Sequence, residues 1–188
     1  MIRSLSRSHT LGILVFLGIL LTAPIAQAQQ RTGRAFTPED ALDVRTVRIQ
    51  DVSDNGVWIA ATVQRHRDRL NIDHERFGDP TYVSPSSSEV IVVNARTGEE
   101  RSLFADPVIA SALSWSPDGS RLALFVHVAE AFRLMFYDVG QEQLNVVDLR
   151  TTLQIASNSP LEWRPDGEAV LVGLRPDGWA EESRNEYL

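Results

Sequence analysis

His66, Asp68, Asp73, His74 and Glu75 crowd into one short stretch of the chain. Imidazoles and carboxylates are zinc ligands, but structural and catalytic zinc sites place them at regular short spacings. This stretch has no such spacing, and Arg65, Arg67, Arg69 and Arg76 fill it with positive charge. It therefore reads as a long polar surface loop, residues 64–88, ending in the flexible Pro85-Ser-Ser-Ser88. Loops longer than ~12–15 residues are commonly functional, and contact with a peptide or a neighbouring domain is a candidate role for this one, which the sequence alone does not assign. His127 and Glu130 could pass a proton between them, but the reading preferred for the residue types is a strand-end histidine near solvent. The acidic pairs Glu99-Glu100 and Glu181-Glu182 read as solvated charges beside turns. No serine is flanked by glycines in the Gly-x-Ser-x-Gly arrangement of a nucleophile elbow. No catalytic residue, metal ligand or cofactor is assigned.

Composition narrows the chemistry further. The 188-residue chain has no Cys, so disulfides, thiolate zinc sites, a cysteine nucleophile and a lipid-bearing cysteine are all excluded. Its 18 basic residues are all Arg, which removes lysine Schiff bases and phosphate loops that need Lys. A formal net charge of −7 argues against general nucleic-acid binding, which needs a basic face. At the N-terminus, Arg3 and Arg7 precede the apolar run Leu11–Leu21, and Ala26-Gln27-Ala28 supplies a small–x–small cleavage pattern. Residues 1–28 are expected to be a secretory signal cleaved after Ala28, the run being short against the ~20 residues that span a bilayer. That places the protein in the periplasm or outside the cell, with no membrane contact after cleavage.

The elements that must position any site are set by a repeat. Leu113-Ser-Trp-Ser-Pro-Asp-Gly-Ser-Arg-Leu-Ala-Leu124 aligns with Leu161-Glu-Trp-Arg-Pro-Asp-Gly-Glu-Ala-Val-Leu-Val172, so that Trp115 and Trp163, Pro117 and Pro165, Asp118 and Asp166, and Gly119 and Gly167 each lie 48 residues apart. Asp51-Val-Ser-Asp-Asn-Gly-Val-Trp-Ile-Ala-Ala61 is a weaker copy, with Gly56 closing the turn and Trp58 following it. Proline presets φ for the second position of a type I turn, Asp suits the third, and glycine takes the left-handed conformation beyond it. Strands are expected after each turn, at 58–63, 121–126 and 169–174, with runs apolar enough to be buried on both faces. Second hairpins follow at 89–94 with 100–104, and at 132–138 with 143–149.

Four short strands per unit, repeating at about 40–50 residues, are the mark of propeller blades. The expected fold is all-β: four-stranded antiparallel meanders forming an incomplete β-propeller of about two and a half blades. The expected organisation is a signal at 1–28, a lead-in at 29–44, and a partial propeller at 45–188. Its blades span 45–107 (with the insertion 64–88), 110–158 and, in part, 160–188. Trp115 and Trp163 are expected to fill one core slot in successive blades. Because closed propellers usually have about 4–8 blades, each covering its neighbour, the sequence reads as part of a longer exported protein, and residues 29–188 alone are expected to be poorly soluble or oligomeric.

Trp115-Ser-Pro-Asp-Gly119 and its repeat resemble the WD-like propeller repeats of two exported families. These are the prolyl oligopeptidase family of serine peptidases (dipeptidyl-peptidase and acylaminoacyl-peptidase types) and the TolB-type periplasmic propellers. Pro38-Glu-Asp-Ala-Leu42, Val47 to Gly56, and Arg76-Phe-Gly-Asp-Pro-Thr-Tyr82 are similar to the opening of a peptidase propeller. The resemblance covers about residues 36–180, all of it propeller. It implies that the parent hydrolyses short peptides through an acyl-enzyme, using a triad on a following α/β-hydrolase domain. It also implies that the propeller gates access and that this chain alone should be inactive. The TolB-type alternative implies a non-enzymatic propeller that binds partner proteins.

Overall fold

The computed structural model describes residues 33–156 and 158–187. The expected signal segment and residues 29–32 of the lead-in lie outside the described residues. Residues 36–188 form one compact unit. It opens with a single helical turn, α1 (Pro38–Leu42), whose Thr37 and Asp40 form a reciprocal capping box and whose proline sits in the first turn, where its missing N–H is not needed.

Two four-stranded antiparallel meanders follow. The first runs β1 (Arg45–Val52), β2 (Trp58–Arg65), β3 (Glu89–Asn94) and β4 (Glu100–Ser102), paired in that order. The second runs β5 (Ala110–Trp115), β6 (Arg121–Val128), β7 (Ala131–Asp138) and β8 (Gln143–Val146), again in chain order. A third unit begins with β9 (Gln154–Ile155) and β10 (Leu161–Trp163), which pair with β12 (Leu174–Arg175) and β11 (Val170–Val172) respectively. The first strands of the three units lie side by side, with β5 packed between β1 and β10. Sheets stacked face to face with their first strands adjacent are blades of a propeller, not the two layers of a sandwich. The molecule thus contains two whole blades and the leading hairpin of a third.

The central strands β2 and β6 are buried on both faces over most of their length, as their apolar runs require. The third blade departs from that expectation. Its second strand is broken at Gly173, whose N–H is taken by the Ser159 hydroxyl at 2.6 Å instead of by a strand carbonyl, and Leu171 is 62% exposed because no described strand or sheet covers its side. Arg175-Pro-Asp-Gly178 repeats the turn tripeptide but leads into a helix, α2 (Trp179–Tyr187), with Glu181 and Glu182 in its first turn, where the helix dipole favours acids. The expected solvated loop acids at 181–182 are therefore helical residues.

Two apolar clusters hold the blades together. Ala60, Val90 and Val92 of the first blade meet Leu113, Trp115, Leu122, Leu124 and Tyr137 of the second. Ala123, Phe125, Phe132 and Leu134 of the second blade meet Ile155, Leu161, Trp163 and Val170 of the third. A third, smaller cluster of Ala61, Val63 and Ile91 lies on the opposite face of the first blade.

Candidate functional site

The repeated turns are built alike in all three blades. Gly56, Gly119 and Gly167 sit at φ of 65°, 70° and 70°, and each N–H donates to the carbonyl three residues earlier, on Ser53, Ser116 and Arg164, at 2.7, 2.8 and 2.8 Å. The residue before each turn closes it from the side chain: Ser53 Oγ to Asn55 Oδ1 at 2.8 Å, Ser116 Oγ to Asp118 Oδ1 at 2.6 Å, and Arg164 Nε to Asp166 Oδ1 at 2.7 Å. Pro117 and Pro165 occupy the second turn positions. Three donors from Ser116 and Ser120, the Ser116 hydroxyl foremost, hold the Asp118 carboxyl down to about 2. The Arg164 guanidinium likewise lowers Asp166.

Successive turns interlock along a seam. Asn55 Nδ2 donates to the Asp118 carbonyl at 3.2 Å, and Arg121 donates to the Gly167 carbonyl at 2.6 Å. Trp58 stacks on Trp115 with centroids 6.5 Å apart. Trp58 and Arg121 hold the same place after their turns, so Arg121 does for Trp163 what Trp58 does for Trp115, its guanidinium lying 5.2 Å from the ring centroid. Phe136 completes that contact by stacking on Trp163 at 5.2 Å. Trp115 and Trp163 stand at matching places, each under the blade before it, whereas Trp58 is the covering residue. These positions form structural joints between blades, and ring stacks of this kind add about 0.5–1.5 kcal/mol each beyond the area they bury.

A concave surface that can take a ligand lies elsewhere, under the insertion. A cavity of about 500 Å³ is bounded by Thr46, Arg48 and Gln50 of β1, Thr62 and Gln64 of β2, and by Arg69, His74 and Arg76 of the insertion, with Tyr82, Ser84 and Ala110. Strand alternation places residues 46 and 48, and their partners 64 and 62, on one face. That face turns toward the second blade, and its far end forms the cavity floor.

Short polar contacts shape the insertion above it. A 3₁₀ turn, His66–Arg69, opens it, and Arg65 grips Asp68 at 3.0 Å. Arg67 reaches back to Asp43 beyond α1 at 2.6 Å. Arg76 holds Asp79 at 2.6 Å and lies over the Tyr82 ring at 4.7 Å. The Tyr82 hydroxyl accepts from the Asp73 N–H at 2.8 Å, and Gln64 Nε2 donates to Ser86 Oγ and the Ser87 carbonyl. The Thr81 hydroxyl and the Arg76 guanidinium hold the Asp79 carboxyl down to about 2, and the Arg65 bond lowers Asp68.

His66 and His74 both line the cavity, while Asp68 is turned to Arg65, and Asp73 Oδ1 accepts from the Glu75 N–H. Among the described residues no group of three or more His, Cys, Asp or Glu converges as a metal would require. The His127 ring lies edge-on to Phe132, 5.2 Å between centroids. Glu130 stands in the two-residue turn beyond, at φ 66°. Glu99 is paired with Arg101 at 2.8 Å.

Sequence reasoning located the insertion but not the cavity floor. Arg48, Gln50 and Gln64 carry no motif; the available signal was the alternation Thr46-Val-Arg-Ile-Gln50, polar side chains on one face of a strand.

No helix among the described residues is long and apolar enough to cross a membrane. No protein-family model matches the chain, and no curated protein matches it. Solved structures similar to it in fold include two propeller-bearing proteins. One is TolB from Acinetobacter baumannii, with TM-score 0.45 and 16% identity over 68% of this chain and 26% of that one. The other is an acylaminoacyl peptidase in complex with Z-Gly-Gly-Phe-chloromethyl ketone, with TM-score 0.44 and 17% identity over 67% of this chain and 17% of that one. The chain spans about a quarter of the first and a sixth of the second.

Proposed function

We propose that these blades are the N-terminal propeller portion of an exported serine peptidase, and that they gate the access of short peptides to a catalytic α/β-hydrolase domain beyond residue 188. The observation that carries the reading is the insertion. Loops longer than ~12–15 residues are commonly functional, and this one lies over the first strand of its own blade. Here, residues 64–88 are pinned by Arg67–Asp43, Arg65–Asp68 and Arg76–Asp79 so as to roof a cavity beside the adjacent first strands β1 and β5. A roofed cavity of ligand size on a rigid sheet suits the handling of small extended molecules. The sequence of this roof, Arg76-Phe-Gly-Asp-Pro-Thr-Tyr82, is also one of the three stretches that resemble the opening of a peptidase propeller, with Pro38–Leu42 and Val47–Gly56. Export rests on the N-terminal pattern of residues 1–28.

The test uses the product of the complete gene. A fluorophosphonate probe should label it at a single serine lying beyond residue 188, and short peptides should compete with the labelling. A gene that continues only into further blades, with a product that takes up no probe, overturns the peptidase reading in favour of a partner-binding propeller of the TolB type.

A further inference from the structure

We propose that the cavity roofed by residues 64–88 binds the carboxylate of a short peptide, with Arg48 and Arg69 as its guanidinium partners. The choice of a peptide as ligand rests on the function proposed above; the choice of a carboxylate rests on the cavity itself. Four arginines line it: Arg48, Arg65, Arg69 and Arg76. Two are spent within the insertion, on Asp68 and Asp79. Arg48, from the strand below, and Arg69, from the roof above, have no acidic partner among the described residues, and the one carboxylate in the lining, Asp79, is already held by Arg76 and Thr81. The lining thus carries two guanidiniums without an acidic partner in a chain whose formal charge is −7. Such a pocket draws in anions against the overall field, and the planar fork of arginine favours carboxylates.

Two further observations favour a peptide over a bare anion. Gln50 and Gln64 donate their amide N–H groups inward, to Thr62 Oγ1 at 2.8 Å and to Ser86 Oγ at 2.7 Å. Their Oε1 atoms accept no hydrogen bond from the described residues, and remain as acceptors for peptide N–H groups. Ile72, Phe77 and Tyr82 add apolar surface at the rim. An ion needs neither the acceptors nor that surface; a peptide uses both.

Calorimetric titration of the full chain tests this with three N-acetylated tripeptides: Ala-Ala-Phe as the free acid, Ala-Ala-Phe as the C-terminal amide, and Ala-Glu-Phe as the C-terminal amide. At least one carboxylate-bearing peptide should bind, at least tenfold tighter than the neutral amide. Which of the two binds identifies a terminal or a side-chain carboxylate. Raising the salt concentration should weaken binding. The double variant Arg48→Gln/Arg69→Gln, both sites being exposed and outside the apolar core, should melt like the parent and lose at least tenfold in affinity. Three results would overturn the proposal: equal affinity for the neutral amide, parental affinity in the double variant, or inorganic phosphate binding as tightly as the peptide. Fluorophosphonate labelling separates this inference from the peptidase reading. A labelled protein with an unresponsive cavity removes only the carboxylate site, and a responsive cavity without labelling removes only the peptidase.

Discussion

Asp118 shows how much a single turn residue is asked to do. Its Oδ1 accepts from Ser116 Oγ and the Ser120 N–H, and its Oδ2 from Ser120 Oγ. Those donors favour the ionised form and lower the folded-state value to about 2 from an ordinary 3.8. A carboxyl lowered on folding contributes stability that is complete above the unfolded value and is lost as pH falls through the folded one. The loss should therefore fall between about pH 4 and pH 2. Because Asp118 is solvent-exposed, screening keeps the contribution under about 1 kcal/mol. The first blade shows that the charge is dispensable: Asn55 fills the same position and accepts the same kind of bonds from Ser53 Oγ and the Val57 N–H. Asp118→Asn should keep the turn, change stability near pH 7 by less than about 1 kcal/mol, and flatten the loss between pH 4 and 2. Urea midpoints at pH 7, 4, 3 and 2.5 for both proteins check this. A variant that loses stability as steeply as the parent would assign the acid sensitivity to other carboxylates, of which Asp79, also held to about 2, is the first to examine.

At the scale of the element, glycines with one backbone conformation differ in what surrounds them. Gly56 and Gly119 have φ of 65° and 70°. A Cβ on Gly56 would meet nothing within 4 Å, whereas one on Gly119 would lie 2.7 Å from Asn55 Nδ2 and 3.2 Å from Ser53 Cβ. Asn55 cannot swing aside freely, because that nitrogen donates to the Asp118 carbonyl across the seam. Gly56→Ala should cost about 1 kcal/mol, the price of a left-handed alanine. Gly119→Ala should cost about 2–3 kcal/mol, because it adds the lost seam hydrogen bond and the displaced turn. Denaturant titration of the two variants measures the difference, and equal costs would mean that the turns do not bear on each other. The turns themselves were legible in the sequence, since proline, aspartate and glycine each act on their own backbone. The seam was not. The covering place is Trp in one blade and Arg in the next, so Trp58 and Arg121 share a role that no residue-type alignment reveals. The cavity escaped for a related reason: Arg48 and Arg69 are joined only once β1 passes beneath the insertion. The helix α2 follows a turn tripeptide that elsewhere introduces a strand; its run Ala180-Glu-Glu-Ser-Arg184, free of β-branched residues, decides the outcome.

For the whole molecule the decisive property is that the seam has two unlike sides. One face of each blade offers the places held by Trp58 and Ala60, or by Arg121 and Ala123; the other receives them with the places held by Ala110 and Trp115 in the second blade. The receiving places in the first blade are Val47, Ile49 and Val52, which are 60%, 65% and 45% exposed, whereas Trp115 is 5% exposed beneath its covering neighbour. The covering face of the third blade presents Leu171, 62% exposed. Each copy of this chain thus carries an open receiving face and an open covering face of matched kind. Contact between unlike patches is heterologous and propagates from copy to copy unless a ring closes. The chain should therefore associate as its concentration rises, visible by sedimentation velocity. Ile49→Glu or Leu171→Glu, each at an exposed position, should stop a single-variant preparation from associating, because every contact needs both faces. Mixing the two variants restores one intact pair of faces, Leu171 of the first variant against Ile49 of the second, so the mixture should form heterodimers and nothing larger. Association that survives both substitutions, or a mixture that stays monomeric, would show that the blades do not join between copies by the seam they use within one.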